Sequence, residues 1–334
     1  MSEAPSPHDQ QEPHVSALSG ALEEPASVSL WRDLAALMKP NITLLVVITS
    51  AGGLWMAPGA IGTVALVVTI LGTLGVVVGA NTLNCYIERE SDKYMARTKG
   101  RPLPAGRVSA RGALFYGLAL ALISNLALWY WVNQTTALLA AIAFVSYVWI
   151  YTPMKRLSPQ ALTVGSLPGA MPPLMGWTAV TGSIDLPGLA LFGVLFFWQI
   201  PHFIAIAFYR QREYERAGLK TMPSQYGHSN ALWQSLFWSL LLVGTSLTLE
   251  PLGVAGPIYT AITALLGLGF LWYSVKGFFA PKRNQWARRY FLYTLIYLTL
   301  LFGALIIDAG PMGPEQRLPL PPAPSYSFDI RSTP

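Results

Sequence analysis

Apolar runs of bilayer length recur along almost the whole chain, and they constrain the fold more than any other feature. A helix needs about 17–25 apolar residues to cross the hydrocarbon layer, and nine runs come close to or exceed this length. They are residues 41–57, 60–87, 112–132, 135–152, 160–181, 187–209, 231–249, 256–279 and 288–307. Because lipid cannot satisfy backbone polar groups, the sequence predicts an all-α polytopic transmembrane helix bundle of about nine spans.

Two of these helices need adjustment at their ends. The first run is short, and we expect it to recruit residues 34–38 across Pro40. The second run should continue beyond the hydrocarbon, because no helix breaker occurs before Gly100. Prolines 172 and 173, in the fifth run, should kink or interrupt that helix, while its small residues favour close helix packing.

The composition agrees with a membrane protein. Of the 334 residues, 53% are hydrophobic and only 11% are charged, and the mean hydropathy is +0.43. Soluble domains carry about 25% charged residues. The single cysteine, Cys85, excludes an intrachain disulfide and a Cys-rich metal site.

The positive charges support both the helix count and an orientation. With the N-terminus in the cytoplasm, twenty of the 22 Lys and Arg residues fall in inward segments, and the other two, Arg317 and Arg331, fall in the C-terminal tail outside. The inward segments 88–111 and 210–230 are unusually long and polar. The net charge of +6 therefore reflects membrane topology, and we expect no nucleic-acid partner.

The two ends of the chain differ from its middle. Residues 1–31 form an acidic, Pro- and Ser-containing lead that we expect to be disordered on the cytoplasmic side. Residues 309–334 form a Pro-rich tail with the same expectation on the outer side. The lead lacks the basic residues of a secretory or organellar targeting segment, which favours a bacterial plasma (inner) membrane. The membrane domain is predicted to span residues 32–308.

Three polar residues lie one helical turn apart at the inner end of the second predicted helix. Asn84, Glu88 and Asp92 are spaced at i, i+4 and i+8, so they form one stripe with about 6 Å between neighbours. An amide and two carboxylates offer hard oxygen ligands, which magnesium combines with phosphate oxygens and water. Arg97 and Arg101 follow one turn apart and can bind a diphosphate as forked donors.

This pattern suits the cleavage of an allylic carbon–oxygen bond. Metal and arginines would stabilise the departing diphosphate, and the apolar bundle would accept the isoprenoid chain. The alternative is a solvated helix end with i,i+4 ion pairs, which is what most mixed charge runs are. Because Asn84 lies within the apolar run, where polar groups are costly and usually functional, the functional interpretation is favoured.

The stripe resembles the first signature of the UbiA superfamily of intramembrane prenyltransferases, Asn-x3-Asp-x3-Asp, with Glu88 in place of the first aspartate. Residues 95–103 and 198–203 are similar to the haem-farnesylating branch of that superfamily. Residues 210–218 stand where the second acidic motif is expected, in a reduced form that keeps only Glu213 and Glu215. The resemblance covers roughly residues 32–308.

The resemblance assigns roles to particular residues. It implies that Mg²⁺ is held by Asn84, Glu88 and Asp92, the catalytic stripe, with Glu213 in support. The predicted diphosphate ligands are Arg97, Arg101, Lys155, Arg156 and Arg212. His202 is the only histidine predicted within a span, and it is the candidate haem contact or axial ligand, with Trp198 beside it.

The same resemblance implies a reaction and its partners. A farnesyl group would pass from farnesyl diphosphate to a vinyl group of haem B, and water would add, giving haem O and diphosphate for haem-copper oxidase maturation. Besides both substrates and membrane lipid, the expected partner is a haem A synthase or an assembly factor of a terminal oxidase. The active site would face the cytoplasm.

Two rival functions share some of these features. A superfamily member that prenylates a quinone precursor or a chlorophyll-type ring would share the stripe, but residues 198–203 and the reduced motif at 213–218 argue against it. A secondary transporter would also contain many helices. It needs polar groups near the middle of the membrane, whereas the ionisable cluster here lies on the inner side.

Overall fold

The computed structural model describes residues 30–95, 98–216 and 218–308, and this part of the chain contains helices and no strands. The helices are α1 (Leu30–Met38), α2 (Pro40–Met56), α3 (Thr63–Asp92), α4 (Ala110–Trp131), α5 (Gln134–Val145), α6 (Thr152–Met154), α7 (Ala161–Thr181), α8 (Leu186–Tyr209), α9 (Gln211–Arg216), α10 (Met222–Gln225), α11 (Gly227–Leu247), α12 (Pro257–Lys276) and α13 (Arg283–Asp308). A π-helical segment, Ser146–Tyr151, joins α5 to α6. The all-α fold class is confirmed.

Every predicted apolar run corresponds to a long helix, but the count of nine spans stays a prediction. Among the described residues, six helices are long and apolar enough to cross a membrane, and the count is seven if α1 and α2, which are bent by 52° relative to each other, form one span. The helices α7 and α11 are not among them. Their hydropathy is reduced by Gly, Pro, Ser and Thr in α7 and by a polar N-terminal turn in α11.

The chain bends at Lys39, between α1 and α2. Residues 34–38 are helical, as the short first run predicted, but the bend itself was not predicted. Lys39 has a φ of 52°, and it is the only described residue other than glycine with a positive φ. The preceding helix is anchored by a two-pronged contact in which Arg107 Nε and Nη2 donate to the buried Asp33 Oδ1 at 3.0 and 2.9 Å. This contact joins α1 to the segment that follows α3.

The helix α3 continues beyond residue 87, as expected, but it ends before Gly100. The helix stops at Asp92 rather than continuing towards Gly100. The hydroxyl of Thr98 donates to the backbone oxygen of Asp92 at 2.9 Å, and the amide of Met95 turns back to the same oxygen. These contacts replace the next helical turn, so the chain folds back beside the end of α3.

The helix α7 lies at the centre of the bundle, between α2, α5 and α8. A Cβ atom on Gly176 would overlap the backbone oxygen of Ser50, and one on Gly53 would overlap that of Pro173. The predicted close packing is therefore confirmed between α2 and α7. The prolines do not interrupt α7, which is continuous from Ala161 to Thr181.

Candidate functional site

A cavity of about 870 Å³ opens at the end of the bundle that carries Asp92. Its mouth is polar, and its lining there includes Lys39, Asn84, Glu88, Asp92, Arg101 and Lys155. Its interior is mostly apolar, with side chains such as Ile42, Val46, Val76, Phe144, Phe203 and Ile204. The volume lies within the range of about 300–1,000 Å³ that is typical of small-molecule sites. One ligand with a charged head and an apolar tail fits this division.

The predicted stripe on α3 faces this cavity, and each of its members already has a cationic partner. Lys39 Nζ donates to Asn84 Oδ1 at 2.5 Å. Lys155 Nζ donates to Glu88 Oε1 at 2.9 Å, and Arg101 Nη1 donates to Asp92 Oδ2 at 2.6 Å. The six residues Lys39, Asn84, Glu88, Asp92, Arg101 and Lys155 form two ion pairs and one contact between an ammonium and an amide oxygen. The arrangement holds hard oxygen atoms and anion-binding groups side by side.

Lys39 is the site residue that sequence reasoning missed. Its charge was counted only as evidence for topology, because nothing in the linear sequence links it to Asn84, 45 positions later. The bend between α1 and α2 turns its side chain into the cavity mouth. The only available signal was its position directly before Pro40, where a helix is expected to break.

The residues at the mouth fit a magnesium ion. Asp92 is fully buried, and its Oδ1 has no hydrogen-bond partner among the described residues. A buried carboxylate oxygen without a partner is costly unless a cation binds it. No group of three His, Cys, Asp or Glu in the described chain could hold a metal by itself. A metal at this stripe would therefore need further oxygen ligands, which a diphosphate supplies.

The predicted diphosphate ligands are only partly brought together. Arg101, Lys155 and Arg156 line the cavity, whereas Arg97 lies outside the described residues. Arg212 does not line the cavity, because α9 presents Glu213 and Tyr214 there instead. This geometry does not support Arg212 as a diphosphate ligand.

Glu213, the predicted second metal ligand, does reach the cavity lining. It is half-exposed and paired with Arg210, whose Nη1 lies 3.1 Å from its Oε2. This pair is local to one turn, so Glu213 can exchange Arg210 for another cation at small cost.

The π-helical segment shapes one wall of the mouth. Tyr147 and Tyr151 both line the cavity, and their rings are 5.4 Å apart. The ammonium of Lys155 lies 4.6 Å from the centre of the Tyr151 ring. Burial alone would lower the pKa of Lys155, but Tyr151 and Glu88 outweigh it and hold the pKa above its ordinary value. The ammonium is therefore charged at neutral pH.

The candidate haem residues lie beside this cavity rather than in its lining. His202 Nδ1 is 2.7 Å from Thr294 Oγ1 on α13, and the Trp198 ring stacks on His202 with 4.6 Å between centres. The Thr294 hydroxyl donates to the backbone oxygen of Phe291, so it accepts from His202, which places the imidazole proton on Nδ1. Nε2 has no hydrogen-bond partner among the described residues. From the same motif, Gln199 and Phe203 line the cavity.

The fold and the site together define a class of helical membrane protein. At the mouth of an apolar cavity, a stripe of carboxylates and an amide can bind magnesium, and the neighbouring cations can bind a diphosphate. Residues 45–296 match the model of the UbiA prenyltransferase family. The chain belongs to this family and is a prenyltransferase.

Curated relatives agree with this family, and solved structures agree with the fold. The protoheme IX farnesyltransferase of Myxococcus xanthus is 48% identical over 279 residues, which cover 84% of this chain and 95% of the relative. The enzyme of the same name from Anaeromyxobacter dehalogenans is 48% identical over 87% of this chain and 99% of its own length. A digeranylgeranylglyceryl phosphate synthase structure, 18% identical, covers 84% of this chain and 98% of its own chain with a TM-score of 0.75. A structure of a UbiA homologue from Archaeoglobus fulgidus, bound to DMAPP and Mg²⁺, is 16% identical and covers 82% of this chain and 99% of its own chain with a TM-score of 0.60.

Proposed function

We propose that this protein transfers a farnesyl group from farnesyl diphosphate to a vinyl group of haem B, giving haem O and diphosphate. The observation that carries this proposal is the placement of Asn84, Glu88 and Asp92, with their cations, at the polar mouth of an apolar cavity. The acceptor is inferred from relatives named protoheme IX farnesyltransferase, which are 38–48% identical to this chain.

Asn84, Glu88 and Asp92 would hold Mg²⁺, with Glu213 as a supporting ligand. The bound ion would supply electrostatic stabilisation of the charge that develops on the leaving diphosphate. Arg101, Lys155 and Arg156 line the same mouth and would bind the remaining diphosphate oxygens. Arg97 belongs to the same proposed set of diphosphate ligands.

The apolar interior has a chemical task of its own. The farnesyl chain would lie against side chains such as Ile42, Val46 and Phe144 and keep bulk water from the reacting carbon. Premature capture by water would turn the substrate into farnesol. The depth of the cavity below the stripe therefore favours transfer to an organic acceptor over hydrolysis.

His202 would contact the haem, with Nε2 free to bind iron because Thr294 holds the Nδ1 proton. Trp198 would act through His202, since it stacks on the imidazole and donates to the backbone oxygen of Thr294 at 2.7 Å. Both residues lie on the face of α8 that is turned towards α13. A haem that contacts them and the cavity would have to approach between these two helices.

The proposed location is the plasma (inner) membrane, with the N-terminus and the cavity mouth on the cytoplasmic side and the C-terminus outside. The basic residues that surround the mouth support this orientation. The proposed physiological role is maturation of a haem-copper oxidase, with a haem A synthase or an oxidase assembly factor receiving the product.

Turnover by the purified full-length protein in lipid nanodiscs tests the proposal. Haem B, farnesyl diphosphate and Mg²⁺ are supplied, and pigments and diphosphate are followed by mass spectrometry and a phosphate assay. We expect a farnesylated, hydrated haem, and we expect Asp92→Ala to abolish it. Unchanged haem together with prenylation of a phenolic acceptor would contradict the proposed acceptor but leave the family intact.

A further inference from the structure

Gln199 is a polar side chain in the largely apolar part of the cavity. It lies on α8, is 8% exposed and contributes to the cavity lining. Its Nε2 donates to the backbone oxygens of Ser166 at 3.2 Å and Leu195 at 3.0 Å. Both amide hydrogens are therefore used. The reverse orientation of the carboxamide would set its oxygen against two carbonyl oxygens, so the contacts fix which atom is Oε1.

The oxygen of this carboxamide is available to accept a hydrogen bond. Gln199 Oε1 accepts no hydrogen bond from the described residues, and a Cβ atom on Gly169 would overlap it. Gly169 and Pro168 line the cavity beside it. A neutral acceptor in an apolar wall is costly unless it receives a donor. A water molecule is the smallest donor that satisfies it.

The position of Gln199 suits the step in which water adds to the alkylated acceptor. On α7, Gly165 abuts the ring of Tyr151, and Tyr151 lies under Lys155 at the polar mouth. Gly169 is one helical turn further along α7, about 6 Å deeper. Gln199 therefore stands one turn below the groups that face the diphosphate, where the newly alkylated acceptor would lie.

We propose that Gln199 Oε1 binds the water molecule that hydrates the alkylated acceptor, an inference that rests on the proposed function. The C1–O bond of farnesyl diphosphate breaks, and its electron pair leaves with the diphosphate. The vinyl π electrons form the bond to C1 and leave a cation on the carbon attached to the porphyrin ring. A lone pair of the bound water adds to this cation, and the proton that water releases leaves with the diphosphate.

A carboxamide is better suited to this task than a carboxylate or a hydroxyl. Its oxygen accepts one hydrogen of the water, so a lone pair of the water is free to face the cation. A carboxylate at the same place would be a nucleophile that competes for the carbocation and forms an ester. The neutral oxygen of Gln199 orients the reactant without that competition.

The ratio of hydroxylated to dehydrated prenyl-haem, measured by mass spectrometry in ¹⁸O-water, tests this inference. Gln199→Met keeps the length of the side chain but removes the acceptor. A cation without a positioned water loses a proton and gives an alkene, so we expect the ratio to fall at least about tenfold, or ~1.4 kcal/mol. The ratio does not depend on how much enzyme is folded, so loss of folded protein alone would not change it.

A second variant leaves Gln199 in place. Gly169→Ala puts a methyl group against Oε1 and should displace the carboxamide, so the ratio should shift in the same direction. Ser166→Ala is the matched control, because Gln199 uses the backbone oxygen of Ser166 and not its hydroxyl. If Gln199→Met does not fold, Gly169→Ala decides the question.

The outcomes are distinguishable. Failure of the unmodified protein to prenylate haem overturns the proposed function itself. Normal prenylation with an unchanged ratio in both Gln199→Met and Gly169→Ala overturns only the role of Gln199. An equal shift in Ser166→Ala also overturns it, because general disturbance of packing would then explain the change.

Discussion

The ammonium of Lys39 lies 2.5 Å from the side-chain oxygen of Asn84, at the first of three sites where a cation of the chain occupies a candidate metal ligand. Glu88 and Asp92 are bound in the same way by Lys155 and Arg101. Binding of magnesium and a diphosphate would therefore exchange partners: the oxygen atoms would pass to the metal and the cations to the diphosphate. Neither ligand alone can complete this exchange, so the two should bind cooperatively.

Lys39→Met should change the two affinities in opposite directions. Removing a positive charge beside the stripe favours a divalent cation and disfavours an anion, by at least about tenfold each, because at an effective dielectric constant of about 20 two unit charges within about 12 Å interact by ~1.4 kcal/mol or more. Titration calorimetry in nanodiscs with Mg²⁺ alone and with inorganic diphosphate measures both. Lys282→Met is the control, because Lys282 is exposed and does not line the cavity. A parallel loss of both affinities would contradict the exchange.

Asp92→Asn should cost at least about 100-fold in kcat/KM, since loss of ~2.7 kcal/mol corresponds to two decades. The substitution removes the charge of a buried carboxylate whose Oδ1 has no partner among the described residues. Activity is measured against Mg²⁺ concentration, and the variant should require more metal. Glu215→Gln changes an exposed acid outside the cavity lining and should behave like the unmodified protein. Equal metal dependence of both variants would exclude Asp92 as a ligand.

His202→Ala should weaken haem binding about tenfold and shift the Soret band, if Nε2 is a ligand of the iron. Spectroscopic titration of ferric haem into nanodiscs measures both quantities. His228→Ala alters a histidine that contacts Gln211 on the surface side and serves as the control. An unchanged Soret band in His202→Ala would leave this imidazole with a packing role against Thr294.

Arg107→Gln should destabilise the protein by about 1–3 kcal/mol, because it leaves the buried Asp33 carboxylate without its partner. We place the value below that of a fully buried pair because the Arg107 side chain is 34% exposed. Thermal unfolding in detergent measures the change. Adding Asp33→Asn removes the unpaired charge and should recover part of the loss; no recovery would show that the pair does not interact energetically.

Gly176→Ala should destabilise the protein by about 1–3 kcal/mol, since its Cβ would meet the backbone oxygen of Ser50 and force α2 away from α7. The matched control is Gly244→Ala on α11, where no atom lies within 4 Å of the added carbon. That variant should be neutral or slightly stabilising, because alanine favours the helix. Equal unfolding temperatures for the two variants would contradict the tight approach.

The sequence predicted those parts of the site that depend on helical spacing. Asn84, Glu88 and Asp92 face one cavity because a stripe at i, i+4 and i+8 needs only that the helix forms. The role of Lys39 could not be predicted, because it depends on a left-handed backbone conformation in a bend that tertiary packing stabilises. Arg212 was assigned by motif, but the face that a short surface helix presents depends on its neighbours.

The same distinction holds for the fold. Apolar runs located every long helix, because hydrophobic length is a local property of the sequence. The continuation of α3 beyond its apolar run was predicted, but its stop at Asp92 was not, because Thr98 caps the helix from outside. The haem candidates His202 and Trp198 were placed on the correct helix, but periodicity alone cannot say that α13 covers their face.

The bend at Lys39 also has a consequence for biogenesis. Lys39 leaves the ribosome 45 residues before Asn84, which at about 5–20 residues per second amounts to several seconds of synthesis. During that interval, the Lys39 ammonium lacks its amide partner, and Asp33 lacks the Arg107 contact that anchors α1. The helices α1 and α2 therefore cannot reach their final conformation before α3 and the segment that carries Arg107 have been synthesised.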